Sequence, residues 1–143
     1  MTSQHLSILL PVDGSENSNR AVELLIKLYE KLAPTDVRVL HVLIPPVVAG
    51  DALFSREAAE WNSAEPGKEA LRSAQALLAG AGIPYVSEVR RGYVPQEIAN
   101  YAKQQNCSAI IMGTRGMGST DQIFGSIVRQ VVALTPLPVT LVK

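Results

Sequence analysis

Apolar positions along the chain follow two alternating periodicities. Ile8-Leu9-Leu10-Pro11-Val12 is a short apolar run that stops at Asp13-Gly14-Ser15, the pattern of a buried strand running into a turn. Ala21, Leu24, Leu25, Leu28 and Leu32 then recur at helical spacing, which predicts a helix with one buried stripe and Ser15 or Ser18 as its cap. Ala33-Pro34-Thr35-Asp36 ends that helix, and residues 37–44 return to strand character, apolar apart from Arg38 and His41. Residues 45–66 are irregular, open on Pro45-Pro46 and carry the single tryptophan, Trp61. Ala70, Leu71, Ala74, Leu77, Leu78 and Ala81 form a second helical stripe closed by Gly80 and Gly82.

Residues 85–91 read as a more polar strand, with Glu88, Arg90 and Arg91 suited to a sheet edge. Pro95 in a first helical turn starts a third helix that runs to about Gln105. A short buried strand over residues 108–112 enters the turn Gly113-Thr114-Arg115-Gly116-Met117-Gly118. The last helix starts either at Asp121 or after Gly125, with Ser126 as cap, and shows Ile127, Val128, Val131 and Leu134 as its apolar face. Pro136 and Pro138 end it, and residues 139–142 form a fifth strand. Apolar strands joined by crossover helices in the order β-α-β-α-β-α-β-α-β predict one α/β domain, an open, doubly wound parallel sheet with helices on both faces.

Composition narrows the function. The 143 residues are 47% apolar and 18% charged, a globular balance. Thirteen basic and thirteen acidic residues cancel, so no net field draws the chain to nucleic acid or to an anionic membrane. No apolar run approaches the ~18 residues of a membrane span, and no leader pattern opens the chain; a cytoplasmic location is the expectation. With Cys107 the only cysteine, neither an internal disulfide nor a cysteine-rich metal site can form, and a small apolar role near an element end is expected for it.

Ligands of such sheets bind beyond the carboxyl ends of the strands, where the strand order reverses. Two predicted strands end suitably, in Pro11-Val12-Asp13-Gly14-Ser15 and in Gly113-Thr114-Arg115-Gly116. A carboxylate there can accept from a ribose hydroxyl. Glycines let backbone amides close on phosphate oxygens, and the helix opening near Ser126 adds partial positive charge. Residues 113–120 read G-x-x-x-x-G-S-T, with Ser119 where a P-loop carries its lysine, and G-x-G-x-x-G is absent after the first strand. His41 reads as a satisfied, half-buried side chain, His5 as solvated, and neither has a partner spacing that makes a triad or a metal cluster.

These residues resemble the universal stress protein family across essentially the whole chain. Ile8 to Ser15 is similar to the family's first strand and turn, Val39-Leu40-His41-Val42 to its second strand, and Ile110 to Gly116 followed by Gly125-Ser126-Ile127-Val128 to its nucleotide signature. The resemblance implies strand order 3-2-1-4-5 and a protein that binds ATP or another adenine nucleotide, with or without Mg, rather than an enzyme. It places Pro11, Val12 and Asp13 around the ribose, the Val42 backbone on the adenine, and Met112, Gly113, Thr114 and Arg115 along the nucleotide. Gly116, Gly125, Ser126, Ile127 and Val128 would face the phosphates. It also implies a homodimer through the C-terminal strand, whose uncharged edge invites a second copy.

One departure stands out: the binding branch has G-x2-G-x9-G-[ST], whereas only eight residues separate Gly116 from Gly125. A nucleotide-free family member acting through its dimer and protein partners is the alternative. A phosphoryl-accepting receiver domain would need an acidic pair after the first strand, where Asp13 stands alone. An adenylating enzyme would need an S-G-G-x-D-S loop, which is absent.

Overall fold

The structure, a computed structural model, describes residues 5–45, 63–115 and 125–143. Trp61, Gly116 and the alternative helix start at Asp121 lie outside the described residues. The elements run β1 (Leu6–Pro11), α1 (Glu16–Tyr29), β2 (Thr35–Leu43), α2 (Glu65–Gly80), β3 (Val86–Arg91), α3 (Val94–Gln104), β4 (Ala109–Gly113), α4 (Ser126–Leu134) and β5 (Val139–Val142). They build one five-stranded sheet in the order β3-β2-β1-β4-β5, with every pairing parallel. The order and the fold class expected from the sequence are those observed.

Strand alternation sorts the core into two layers. Ile8, Leu10, Val37 and Val39 face α1 and α2, where Ala21, Leu25, Ala74 and Leu78 are buried against them. Leu9, Leu40, Val42 and Ile110 face α3 and α4, where Ile98, Tyr101, Val128 and Val131 close over them. Tyr101 is fully buried, yet its hydroxyl receives Arg38 Nη1 at 3.4 Å and the Arg90 guanidinium lies 4.8 Å from its ring centroid. That arrangement satisfies a polar group under the sheet and holds α3 down. The Tyr101 hydrogen bond raises the Arg38 pKa. Burial likewise pushes the Cys107 thiol up, and the Ser7 hydroxyl donates to its sulfur at 3.8 Å. Cys107 sits between α3 and β4 as a small buried side chain.

β3 is an edge strand, as its polarity suggested, and Arg90 Nε donates to Glu88 Oε2 at 2.6 Å. At β1's start, His5 is half exposed and pairs with Asp36 at 2.8 Å. Of the two candidate caps of α1, Ser15 takes the position: its hydroxyl accepts the Ser18 N–H at 3.2 Å. Two helices differ from expectation in other respects. The buried face of α1 is Asn17, Ser18, Ala21, Val22 and Leu25, while Leu24 is half-buried and Leu28 is 37% exposed. At about 100° per residue Leu28 shares its azimuth with the buried Asn17 and Ala21, so its exposure goes with its place in the last turn of α1. In α4 Gly125, extended at φ −68° and ψ 162°, takes the cap position expected of Ser126, and Leu134 is exposed.

Position along α1 separates two leucines that the sequence pattern treats alike. Leu25→Ala empties a site with no exposure and is expected to cost about 2–5 kcal/mol, whereas Leu28→Ala should cost under about 1 kcal/mol. Urea denaturation of the two variants checks this, and equal losses would contradict the packing described.

Candidate functional site

The strand order reverses between β1 and β4, so their outgoing chains part and leave a crevice at the carboxyl end of the sheet. On the β1 side, the Val12 N–H donates to Leu40 O at 2.8 Å as the chain leaves the ladder. Gly14 then takes φ +84°, a conformation that side chains strain to adopt. Asp13 is fixed from both ends: its N–H donates to Ser18 Oγ at 3.4 Å, and its Oδ1 accepts the Ser15 N–H at 2.9 Å. The first turn of α1 therefore sets where this carboxylate stands.

β2 runs on past the end of β1. Successive peptide groups of a strand point to opposite sides. Leu43 O accepts the Gly92 N–H at 3.0 Å on the β3 side, and Leu40 O accepts the Val12 N–H on the β1 side. The N–H and C=O of Val42 therefore point toward β1, at the level where β1 has turned away. Below them lie Leu40, Ile98, Met112 and Val128, all buried.

On the far side, Thr114 is buried and its N–H donates to Val142 O at 3.0 Å, while its carbonyl accepts the Gly125 N–H at 2.9 Å. Asn17 ties this turn to α1. Its Oδ1 accepts the Arg115 N–H at 2.7 Å, and its Nδ2 donates to Val142 O at 2.9 Å. The same side chain explains Gly113, where a Cβ would collide with Asn17 Oδ1 and lie 2.8 Å from its Cγ.

These elements enclose a cavity of about 320 Å³, at the small end of the ~300–1,000 Å³ typical of ligand pockets. Pro11, Val12, Asp13, Val42, Met112, Gly113, Arg115, Ile127 and Val128 of the sequence-predicted set line it together. Thr114 and Gly125 stand behind that wall, bonded to each other. Ser126 is exposed at the start of α4 and is not part of the lining. Gly116 lies outside the described residues. Sequence reasoning missed Ser18, Leu40, His41, Ile44, Val94 and Ile98 as wall residues. Leu40 shares a face with Val42, and Val94 and Ile98 are spaced i, i+4 on α3, so their periodicity carried a signal. Asn17 had none.

An apolar slot flanked by a carboxylate and by an unused peptide edge can receive a flat heteroaromatic ring joined to a hydroxylated group. Comparison with known proteins follows the same line. The sequence model described as the universal stress protein family matches residues 6–143. A universal stress protein of Thermus aquaticus is 31% identical over 140 residues, covering 96% of this chain and 98% of the relative. The solved structure of a universal stress protein from Lactobacillus plantarum superposes with TM-score 0.83 at 23% identity, covering 99% of this chain and all of the other. A universal stress protein from Archaeoglobus fulgidus, solved in complex with dAMP, has TM-score 0.69 at 22% identity, with 99% of this chain and 100% of that one covered.

The contact between Gly113 and Asn17 makes their substitutions interdependent. Asn17→Ala leaves the Arg115 amide without this partner and the Val142 carbonyl with the Thr114 N–H, at an expected cost of about 1–3 kcal/mol. Gly113→Ala should cost less in that background than in the wild type, with a coupling of about 1 kcal/mol or more. A denaturation cycle over the four proteins measures it; additive losses would mean that Asn17 does not shape the turn.

Proposed function

Because the chain belongs to the universal stress protein family, we propose that the cavity at the β1–β4 switch point binds an adenine nucleotide. The observation that carries this reading is the Val42 peptide, whose N–H and C=O point past the end of β1 above an apolar slot. Adenine offers the matching pair, an acceptor at N1 and a donor at the 6-amino group, and its flat ring suits walls of Leu40, Ile98, Met112 and Val128. Asp13 accepts from the ribose hydroxyls, and the phosphates run toward Arg115 and the turn after β4, near the start of α4. The dAMP held by the Archaeoglobus relative supports the same class of ligand.

The reading is one of binding rather than turnover. Asp13 Oδ1 accepts the Ser15 N–H and His41 Nδ1 donates to the Val12 carbonyl, so backbone holds each in place. Among the described residues no group of three or more His, Cys, Asp or Glu could hold a metal. Among those residues also, no helix is long and apolar enough to cross a membrane.

A second copy of the chain completes the proposal. Among the described residues β5 pairs only with β4 and forms one edge of the sheet. Pro138 O and Val142 O accept from Ile110 and Thr114, so by alternation the peptide groups of Val139 and Leu141 point outward. Val132 and Leu134 of α4 are exposed just before this strand. An antiparallel pairing of two β5 edges satisfies those groups and closes the assembly.

Calorimetry is expected to give saturable binding of ATP, ADP or AMP, without steady-state hydrolysis. Asp13→Ala should weaken it roughly tenfold or more, the loss of a charge-assisted hydrogen bond. Absence of heat and of competition by any adenine nucleotide at millimolar concentration would leave a nucleotide-free family member instead.

Light scattering should find a dimer at tens of micromolar. Leu141→Pro removes an outward amide while sparing the ladder to β4, and should yield a folded monomer. A monomeric wild type overturns the assembly.

A further inference from the structure

We propose that His41 is a positioning residue that holds the corner between β1 and β2 open, so that the Val42 amide is presented to a ligand instead of closing another rung of the sheet. The proposal rests on the nucleotide reading above for the identity of that ligand, but the corner itself is a property of the fold.

A parallel ladder alternates: after the Val12 N–H has donated to Leu40 O, the next rung runs from the Val42 N–H back to Val12 O. The structure makes the first of these bonds, at 2.8 Å. It does not make the second; among the described residues the backbone bonds at this corner end with Val12 to Leu40. The Val12 carbonyl is instead 2.7 Å from His41 Nδ1. A carbonyl only accepts, so Nδ1 carries the hydrogen and donates. Val12 is buried, at 5% exposure, and a buried carbonyl without a donor is costly. The imidazole supplies that donor from the residue next to Val42, and so removes the demand that would otherwise draw the Val42 N–H inward.

The device needs a side chain of particular reach. Asparagine can set an amide nitrogen where Nδ1 now stands, whereas leucine or valine offers no donor. Without one, the nearest backbone donor for Val12 O in ladder register is the Val42 N–H. The rung then closes, β1 follows β2 for one residue more, and Asp13, the next residue, is drawn along with it. Both groups assigned to the nucleoside, the base edge and the ribose carboxylate, thus depend on one imidazole that need not touch the ligand.

Two readouts separate this role from general stability. Amide hydrogen exchange at Val42, followed by NMR without ligand, should be fast in the wild type and slowed by saturating ATP. In His41→Leu the same amide should be protected without ligand by about tenfold or more, and ATP should bind about tenfold more weakly. His41→Asn should restore wild-type behaviour on both counts. If His41→Leu does not fold, His41→Val takes its place with the same expected results. Unchanged Val42 exchange in a folded variant overturns the proposal, as does wild-type ATP affinity in that variant. A wild type that binds no adenine nucleotide defeats the nucleotide reading alone, because the exchange comparison without ligand still decides whether His41 holds the corner.

Discussion

Hydrogen-bonding groups in a parallel sheet are satisfied sideways, by the neighbouring strand, so a strand that stops short leaves its neighbour with donors and acceptors to place. In this molecule that constraint acts where β1 turns away between β2 and β4. The chain meets it in two ways. Some stranded groups receive side chains, as the Val12 carbonyl receives His41 and the Arg115 amide receives Asn17. Others, chiefly the Val42 peptide, open onto a cavity walled by buried aliphatic side chains. The arrangement that lets the sheet change direction is also the one that makes a place for a small molecule.

Asn17 and His41 do comparable work from opposite sides of this crevice. Each is a polar side chain within a regular element, and each holds backbone that regular pairing leaves over. The helix capped by Ser15 supplies the first and the second strand the other, so the walls are set by elements with their own cores rather than by the connecting turns. The Asp13 carboxylate fits the same scheme, since its place is dictated by Ser15 and Ser18 in the opening turn of α1.

Much of this architecture was legible in the sequence because it follows from periodicity. Runs such as Ile8 to Val12 and the stripe at Leu71, Ala74 and Leu78 announce their elements, and their alternation implies the parallel sheet. Nine of the thirteen expected site residues line one cavity, because strand ends, turns and a family pattern can all be read locally. What could not be read were interactions spanning the chain. Asn17 looks like an ordinary surface residue of a helix, and its partners Arg115 and Val142 lie 98 and 125 positions away. Those bonds bury the polar Asn17 on the inner face of α1, which a stripe of large apolar residues cannot anticipate. The cap of α4 went to Gly125 instead of Ser126 for a similar reason: the Gly125 amide is committed to Thr114 O.

Val142 O accepts both the Thr114 amide and the Asn17 side chain, and this has a consequence for how the protein is made. A ribosome delivers the chain from its N-terminus, and β1, β2 and β3 can begin to pair while later residues are still being added. The turn after β4 gains its bond to β5 once position 142 has left the exit tunnel. Until then Thr114 and Asn17 each lack an acceptor for a hydrogen bond they make in the finished fold, and one wall of the crevice is unsupported. A product of interrupted translation that stops before β5 can therefore resemble the mature sheet on one side while lacking the enclosed volume on the other, a quality check written into the order of synthesis.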